Sequence, residues 1–321
     1  MSLSIVIPTT ASRASIFKTI ESVHGAIQGL DVIIEVVVNR LRNNENILEQ
    51  LDRDKRIVLR FHNVIHDTAE SSAMWAAYTS PSDWVWLLGD DDLATNGSVE
   101  HILQLTSKDD ISFWLLNVLL VFEHTPLEYY RIGPKPVQVS EAIALWQKCG
   151  FFSVLTTISC FLLKRSSIDI DLFEEFHAIQ GVYSHSFALL AMLNTSQVGV
   201  TDFFCVIRNE ENSEKIEIAL SQYAKSRGIE LNSIWTTGAQ KLFELLSEKI
   251  EVPVSKLLQF REIELIKDVE KTYVRNTDIQ ILVSDSKSVM DRASKILVSQ
   301  NLIFDAPVRI SLCGNAKISL S

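Results

Sequence analysis

The stretch Trp84-Val85-Trp86-Leu87-Leu88-Gly89-Asp90-Asp91-Asp92-Leu93 constrains the fold more than any other in the chain. Five apolar residues read as a buried strand, and that strand runs directly into three adjacent carboxylates. Like charges at a strand end repel each other and are costly to bury unpaired. A cation bridging them removes that cost, and hard oxygen ligands suit Mg²⁺ or Mn²⁺. A solvated acidic turn is the competing reading of the same residues.

The chain before this stretch alternates short apolar runs with amphipathic segments. Leu3 to Ile7 reads as a strand stopped by Pro8. Ile16, Ile20, Val23 and Ile27 fall on one face of a helix that starts near Ser15, with Ser15 as its N-cap. Val32 to Val38 is a β-branched run, hence a second buried strand. A short helix carries Ile47, Leu48 and Leu51, and Arg56 to Phe61 alternates as a third strand. Asp67-Thr68-Ala69-Glu70 resembles a capping box opening a helix to about Thr79. This βαβαβαβ order predicts an α/β fold, a mostly parallel sheet with helices on both faces. Ligands of such sheets gather beyond the carboxyl ends of the strands. Pro8-Thr9-Thr10, Asn39-Arg40 and Gly89-Asp90-Asp91-Asp92 stand at three of those ends and are expected to face one crevice.

Further on, Asn96-Gly97-Ser98 opens a helix, Ile111 to Phe122 is a long strand, and Thr125 to Gln138 is a proline-containing loop or edge hairpin. Ser140 is expected to cap a helix to Cys149. Strands are expected at Thr157 to Leu163 and Val198 to Ile207, a solvated acidic loop around Asp171, Glu174 and Glu175, and a helix from Tyr183 to Leu193. The composition shifts near Asn209. Residues 1–208 form the α/β part, and residues 209–321 read as mainly helical: Ile216 to Arg227, Thr236 to Lys249, Val254 to Tyr273 and Ser286 to Val298, with β-like runs at Ile279 to Val283 and Val308 to Leu312.

Charge and cysteine usage narrow the function classes. The formal net charge is −10, so the chain as a whole has no attraction for phosphate backbones, and no nucleic-acid role is expected. Four scattered cysteines without a CxxC pair argue against zinc and against a disulfide framework, and suit a reducing cytoplasm. The first residues lack the basic leader and long apolar run of a signal peptide. The longest apolar runs fall short of the roughly 18 residues that span a bilayer.

With these residues in view, the chain resembles the family 2 glycosyltransferases of the GT-A fold. Ser4-Ile5-Val6-Ile7-Pro8-Thr9-Thr10 followed by Arg13 is similar to the family's opening strand, and Trp84 to Leu93 to its metal-binding Asp-x-Asp region. The Leu-Leu-Gly-Asp-Asp-Asp form is similar to abequosyltransferase-like enzymes that build bacterial surface polysaccharide. The likeness covers about residues 3 to 207. It implies transfer of a sugar, with inversion, from a nucleotide-sugar donor to a hydroxyl of a glycan or lipid-linked acceptor, assisted by Mn²⁺ or Mg²⁺. By position it implies Asp91 and Asp92 as metal ligands, and Pro8, Thr9, Thr10, Arg13, Asn39, Asp67 and Asp90 as contacts to the nucleotide sugar. Gly89 replaces the first acid of the commoner Asp-x-Asp-Asp form, and Asn39 replaces the usual Asp. At the family's place for the base, Gln180 to Phe187 has no carboxylate; His185 is its titratable candidate, and Asp171, Glu174 and Glu175 upstream are the alternatives. In such an enzyme the C-terminal helices would serve peripheral contact with the inner membrane face or a homodimer. Nucleotidyl transfer is disfavoured because no Gly-rich loop follows the first strand. A non-catalytic nucleotide-sugar-binding or scaffold protein of the same fold is the alternative function.

Overall fold

The first strand is apolar on both faces and therefore belongs at the centre of a sheet. In the computed structural model this strand, β1 (Leu3–Thr9), lies between β2 (Ile33–Val38) and β4 (Trp84–Leu87), parallel to both. The structure describes residues 2–27, 29–40, 44–108, 110–122, 125–127, 138–144, 157–194, 196–209, 213–234, 237–254, 256–257, 279–280, 308–311 and 317–320. The sheet continues on one side to the edge strand β3 (Val58–Phe61), parallel to β2. The remaining strands are β5 (Leu93–Ala94), β6 (Ile111–Phe122), β7 (Thr125–Leu127), β8 (Gln138–Glu141), β9 (Phe161–Lys164) and β10 (Gln197–Asn209). The order along the sheet is β3-β2-β1-β4-β9-β6-β10-β5, with β7 on β6 and β8 on β10. β9 runs antiparallel to both β4 and β6, which gives a mixed sheet with a parallel half.

Helices α1 (Ser15–Ala26), α2 (Glu45–Arg53), α3 (Ala69–Tyr78) and α4 (Ser98–Thr106) follow the first four long strands as the periodicity predicts. On α1 it is Ile16, Ile20 and Val23 that turn inward. Ser15 is the first helical residue rather than the cap, which is Ala14 without a side-chain bond. The expected acidic loop is instead α5 (Ile170–Ile179): Asp169 caps it by accepting from the Leu172 amide, and Phe173 and Phe176 are buried beneath the acids. The acids fill the outer face of an amphipathic helix. The strand placed at Thr157 is delayed to Phe161 by a 3₁₀ turn over Ile158–Cys160. Ser140 lies in β8 rather than at a helix cap; residues 142–144 are helical, and the rest of that expected helix lies outside the described residues, as do residues 128–137 of the proline-containing loop. Helix α6 (Ser184–Met192) completes this part.

The chain forms two compact units, Met1–Ile143 with Leu155–Ile216, and Ala144–Val154 with Glu217–Ser321. Helix α7 (Ser213–Ser226) begins at the end of the first unit. In the second, α8 (Thr237–Ile250) buries Ala239, Leu242, Phe243, Leu246 and Ile250. Three short strands, Ile279–Gln280, Val308–Ser311 and Lys317–Leu320, form a separate small sheet. The expected helix at Ser286 to Val298 and most of that at Val254 to Tyr273 lie outside the described residues. No helix among the described residues is long and apolar enough to cross a membrane.

Candidate functional site

Two central strands deliver their ends to the same place. Thr9 ends β1, and Gly89-Asp90-Asp91-Asp92 follows β4. The buried Thr9 hydroxyl donates to Asp90 Oδ2 at 2.6 Å and accepts the Ala11 amide at 2.9 Å. Ala11 is fully buried with φ of 50°, a left-handed conformation that strains a non-glycine residue. That bend turns the chain so that Arg13 reaches back over the acids. Its Nη1 donates to Asp91 Oδ2 at 2.7 Å, and its Nη2 pairs with Asp90 Oδ1. Burial opposes the charge of Arg13, but Asp90 and Asp91 outweigh it and hold its pKa above the ordinary arginine value. Asp90 is 6 % exposed, and burial raises its pKa against the opposing pull of Arg13 and Thr9.

The third acid is held differently. The Ser159 hydroxyl bonds Asp92 Oδ2 and accepts the Gly89 amide at 2.8 Å, while Trp86 Nε1 donates to the Ser159 carbonyl at 3.0 Å. Gly89 makes this close approach feasible. A Cβ there would lie 3.1 Å from Asp92 Oδ2 and 3.2 Å from Ser159 Oγ, so a larger residue would press the two apart. An acid at this position, as in the commoner Asp-x-Asp-Asp form, would crowd a serine that here does the holding.

At the end of β2, the Asn39 amide hydrogen bonds the Thr9 carbonyl at 2.7 Å, which ties β2 to the β1 end. Its side chain spans the loop after β3: Nδ2 donates to the His66 carbonyl at 2.7 Å, and Oδ1 accepts the His66 amide at 3.2 Å. Asn39 therefore organises the crevice wall as a loop clamp. Thr10 is bonded to Ser12 at 2.8 Å, and Pro8 pairs in register with Val37 inside the sheet.

Asp67 is not the cap of α3. Thr68 is, accepting the Ser71 amide at 3.1 Å, because the helix begins one residue later than the capping-box reading required. Asp67 is thus left to face His177 of α5, with Oδ1 3.3 Å from Nε2, and Thr68 Oγ1 is also 3.3 Å from that nitrogen. Glu174 sits one turn earlier on α5 and accepts from Trp75 Nε1 at 2.5 Å. His66 and Trp75 pack with ring centroids 6.0 Å apart, and His62 meets His66 edge-on at 4.4 Å. His185, the titratable candidate in the Gln180–Phe187 stretch, is 1 % exposed with its ring 5.8 Å from Phe161. Its burial sets it in the core and not at an open crevice. Trp84, Trp86 and Trp114 are also core.

Hydrogen bonds and ion pairs thus join Thr9, Arg13, Asp90 and Asp91 at the carboxyl ends of β1 and β4, with the Asn39 amide on the Thr9 carbonyl and Asp92 on Ser159, while Asp67 pairs with His177 of α5 and Thr10 with Ser12. Sequence reading missed Ser159 and His177 as members. Ser159 lies in an apolar run read as strand, and His177 in the segment read as loop. An Asp169 cap with apolar residues at 170, 173 and 176 was the available signal for the helix.

Among the described residues no three His, Cys, Asp or Glu side chains converge as a complete cage for a metal ion. Mg²⁺ and Mn²⁺ do not require one, since one or two carboxylates plus substrate phosphates hold them in phosphate-handling sites. Asp91, with its side chain 50 % exposed, is the acid of the triplet that fits that mode.

No protein-family model and no curated protein sequence matches the chain. Among solved structures, the chain is similar to S. aureus TarS. The TarS 1-349 complex with UDP-GlcNAc superposes with a TM-score of 0.56 at 9% identity, covering 94% of this chain and 82% of that one. The complex with UDP gives 0.53 at 8% identity, covering 100% of this chain and 96% of that one. Identities this low speak to fold alone, and the fold is the mixed α/β architecture of GT-A type, with the acidic triplet at the end of a central strand.

Proposed function

We propose that this protein transfers a sugar from a nucleotide-diphosphate sugar to a hydroxyl of a glycan or lipid-linked acceptor, in the manner of an inverting family 2-like glycosyltransferase. The observation that carries the reading is the Thr9–Asp90–Arg13–Asp91 constellation, set by a strained turn at the carboxyl ends of two central parallel strands. The similarity of fold to TarS, which binds UDP-GlcNAc, supports it.

Asn39, Thr10 and the His66 loop line the side of the crevice that takes the nucleoside, and Arg13 is poised to exchange its carboxylate partners for donor phosphate. Asp91, with Asp92 behind it, holds Mn²⁺ or Mg²⁺ in this reading. Bound there, such an ion would supply neutralisation of the diphosphate and stabilisation of the leaving group. The chain's own residues position it: Thr9 and Arg13 fix Asp90, and Ser159 fixes Asp92. Residues 209–321 serve as a membrane-docking or self-association region. The abequosyltransferase-like resemblance puts the reaction in bacterial polysaccharide synthesis, on the cytoplasmic side.

The test is thermal shift and donor hydrolysis with Mn²⁺ and a panel of nucleotide sugars, UDP-GlcNAc among them. A shift with turnover is expected, and Asp91→Asn should remove its dependence on Mn²⁺. Binding without turnover, even with acceptor-containing extract, would favour the non-catalytic reading. Absence of any shift across the panel would end the transferase reading.

A further inference from the structure

Transfer to a hydroxyl requires a group to accept its proton, and Gln180–Phe187 offers no carboxylate. The structure brings one there from another part of the chain. Glu70, the second residue of α3, is partly buried, and its Oε1 accepts the backbone N–H of Tyr183 at 3.3 Å across 113 residues of sequence. Tyr183 is the N-cap of α6 and sits at φ 63°, in the left-handed region. Nothing in the helix itself demands that conformation, since Tyr183 makes no side-chain cap. The turn before it is fixed by its own bonds, Gln180 Nε2 to the Val182 carbonyl at 3.0 Å and Ser184 Oγ to the Gly181 carbonyl at 2.7 Å. A strained residue, held rigidly and aiming its N–H at a partly buried carboxylate, is the arrangement found where a side chain must be positioned.

The surroundings suit the role. α3 starts at the carboxyl edge of the sheet, one turn after the His66 loop clamped by Asn39. A titratable group acting on Glu70 is Asp67 on that loop, and His177 and then Glu174 of α5 stand beyond Asp67. Asp67 is engaged by His177. We propose, resting on the sugar-transfer reading above, that Glu70 is the catalytic base. The acceptor O–H proton passes to the Glu70 carboxylate as the acceptor oxygen bonds to the anomeric carbon. The bond from that carbon to the donor phosphate breaks, and the nucleoside diphosphate leaves with the electron pair. Burial also raises the Glu70 pKa, opposed by backbone N–H donors, including Tyr183, and by Thr68, which favours proton uptake at the moment of transfer.

Glu70→Gln keeps an oxygen for the Tyr183 N–H, so the fold is retained. Binding of UDP-GlcNAc and related nucleotide sugars is measured by thermal shift, and turnover by donor hydrolysis with and without acceptor-containing extract. Donor affinity within about threefold of wild type, a rate lowered about 100-fold or more, and loss of the acid limb of the pH–rate profile are expected. Asp67→Asn and His177→Gln should keep that limb. A Glu70→Gln rate within threefold of wild type with its acid limb intact overturns the proposal, as does loss of the limb in Asp67→Asn instead. If the wild-type protein binds no nucleotide sugar, the transferase reading itself fails and takes the role of Glu70 with it.

Discussion

Replacing Arg13 by glutamine removes the cation shared by Asp90 and Asp91. Asp90 is 6 % exposed and would keep only Thr9 as a close partner, with a like charge beside it. Breaking a fully buried pair costs about 3–5 kcal/mol. Here the Arg13 side chain is 48% exposed and that of Asp91 50% exposed, so solvent screens much of the interaction. About 1–2 kcal/mol is the expected loss at neutral pH. With a urea slope of about 2 kcal/mol/M, the midpoint falls by about 0.5–1 M. The loss depends on pH in a definite direction. Burial already raises the folded-state pKa of Asp90, and Arg13 restrains that rise. A carboxyl with a raised folded pKa contributes stability below its unfolded value, near 3.9, that is lost as pH climbs through the folded value. Removing Arg13 raises the folded value further. The Arg13→Gln variant should therefore be nearly as stable as wild type at pH 4 and clearly weaker at pH 7.5. Mn²⁺ at neutral pH should then restore more stability to the variant than to wild type, because Asp91 no longer shares its charge with a guanidinium. Urea melts at both pH values, with and without Mn²⁺, check this. An equal loss at pH 4 and pH 7.5 would show that Arg13 acts through packing and not through the acids.

Gly199→Ala on β10 would drive a Cβ into the buried ring of Trp114 on β6; even Cδ2, the third-nearest ring atom, would lie 2.7 Å away. Overpacking of this kind costs about 1–3 kcal/mol or more, a Tm lowered by about 2–4 °C per kcal/mol for a chain of this size, and calorimetry with an unchanged Tm would refute the register of β6 on β10. The half-buried His62 has its pKa lowered to about 4, by burial first and then by His66 and Arg60. Its depressed value means that stability is full above the unfolded pKa near 6.5 and declines as pH falls toward 4; NMR titration of the His62 ring should show a midpoint near 4, and a midpoint near 6.5 would contradict its packing against His66.

The parallel half of the fold is legible in the sequence because burial there is symmetrical. Strands covered on both faces must be continuous apolar runs, and the 3.6-residue period of the intervening helices needs only Ile16, Ile20 and Val23 to declare itself. The mixed half, where β6 and β10 pair parallel among antiparallel neighbours, is less legible. β5 has two residues and exists because it pairs with β10, a partner more than a hundred positions away. α5 was hidden for a different reason: its acids sit on the exposed face, and counting them gives a loop, while the spacing of Ile170, Phe173 and Phe176 gives a helix.

The site divides along the same line. Each strand end could be placed by chain order, so Thr9, Asn39 and the acidic triplet were found together. What chain order cannot give is which charges neutralise which, since that depends on side chains meeting across the sheet. Arg13 meets Asp90 and Asp91 because Ala11 bends backwards, and nothing in the sequence marks an alanine for a left-handed conformation. Ser159 meets Asp92 because Gly89 leaves room for it. The same holds for the absent carboxylate at Gln180–Phe187. A catalytic position is a point in space, and any element whose end reaches that point can supply the group. In the reading proposed above α3 reaches it, and a residue that the local pattern assigns to capping is released by a one-residue shift of the helix start. Thr68 takes over the cap, and Glu70 is left to answer a backbone N–H on another helix.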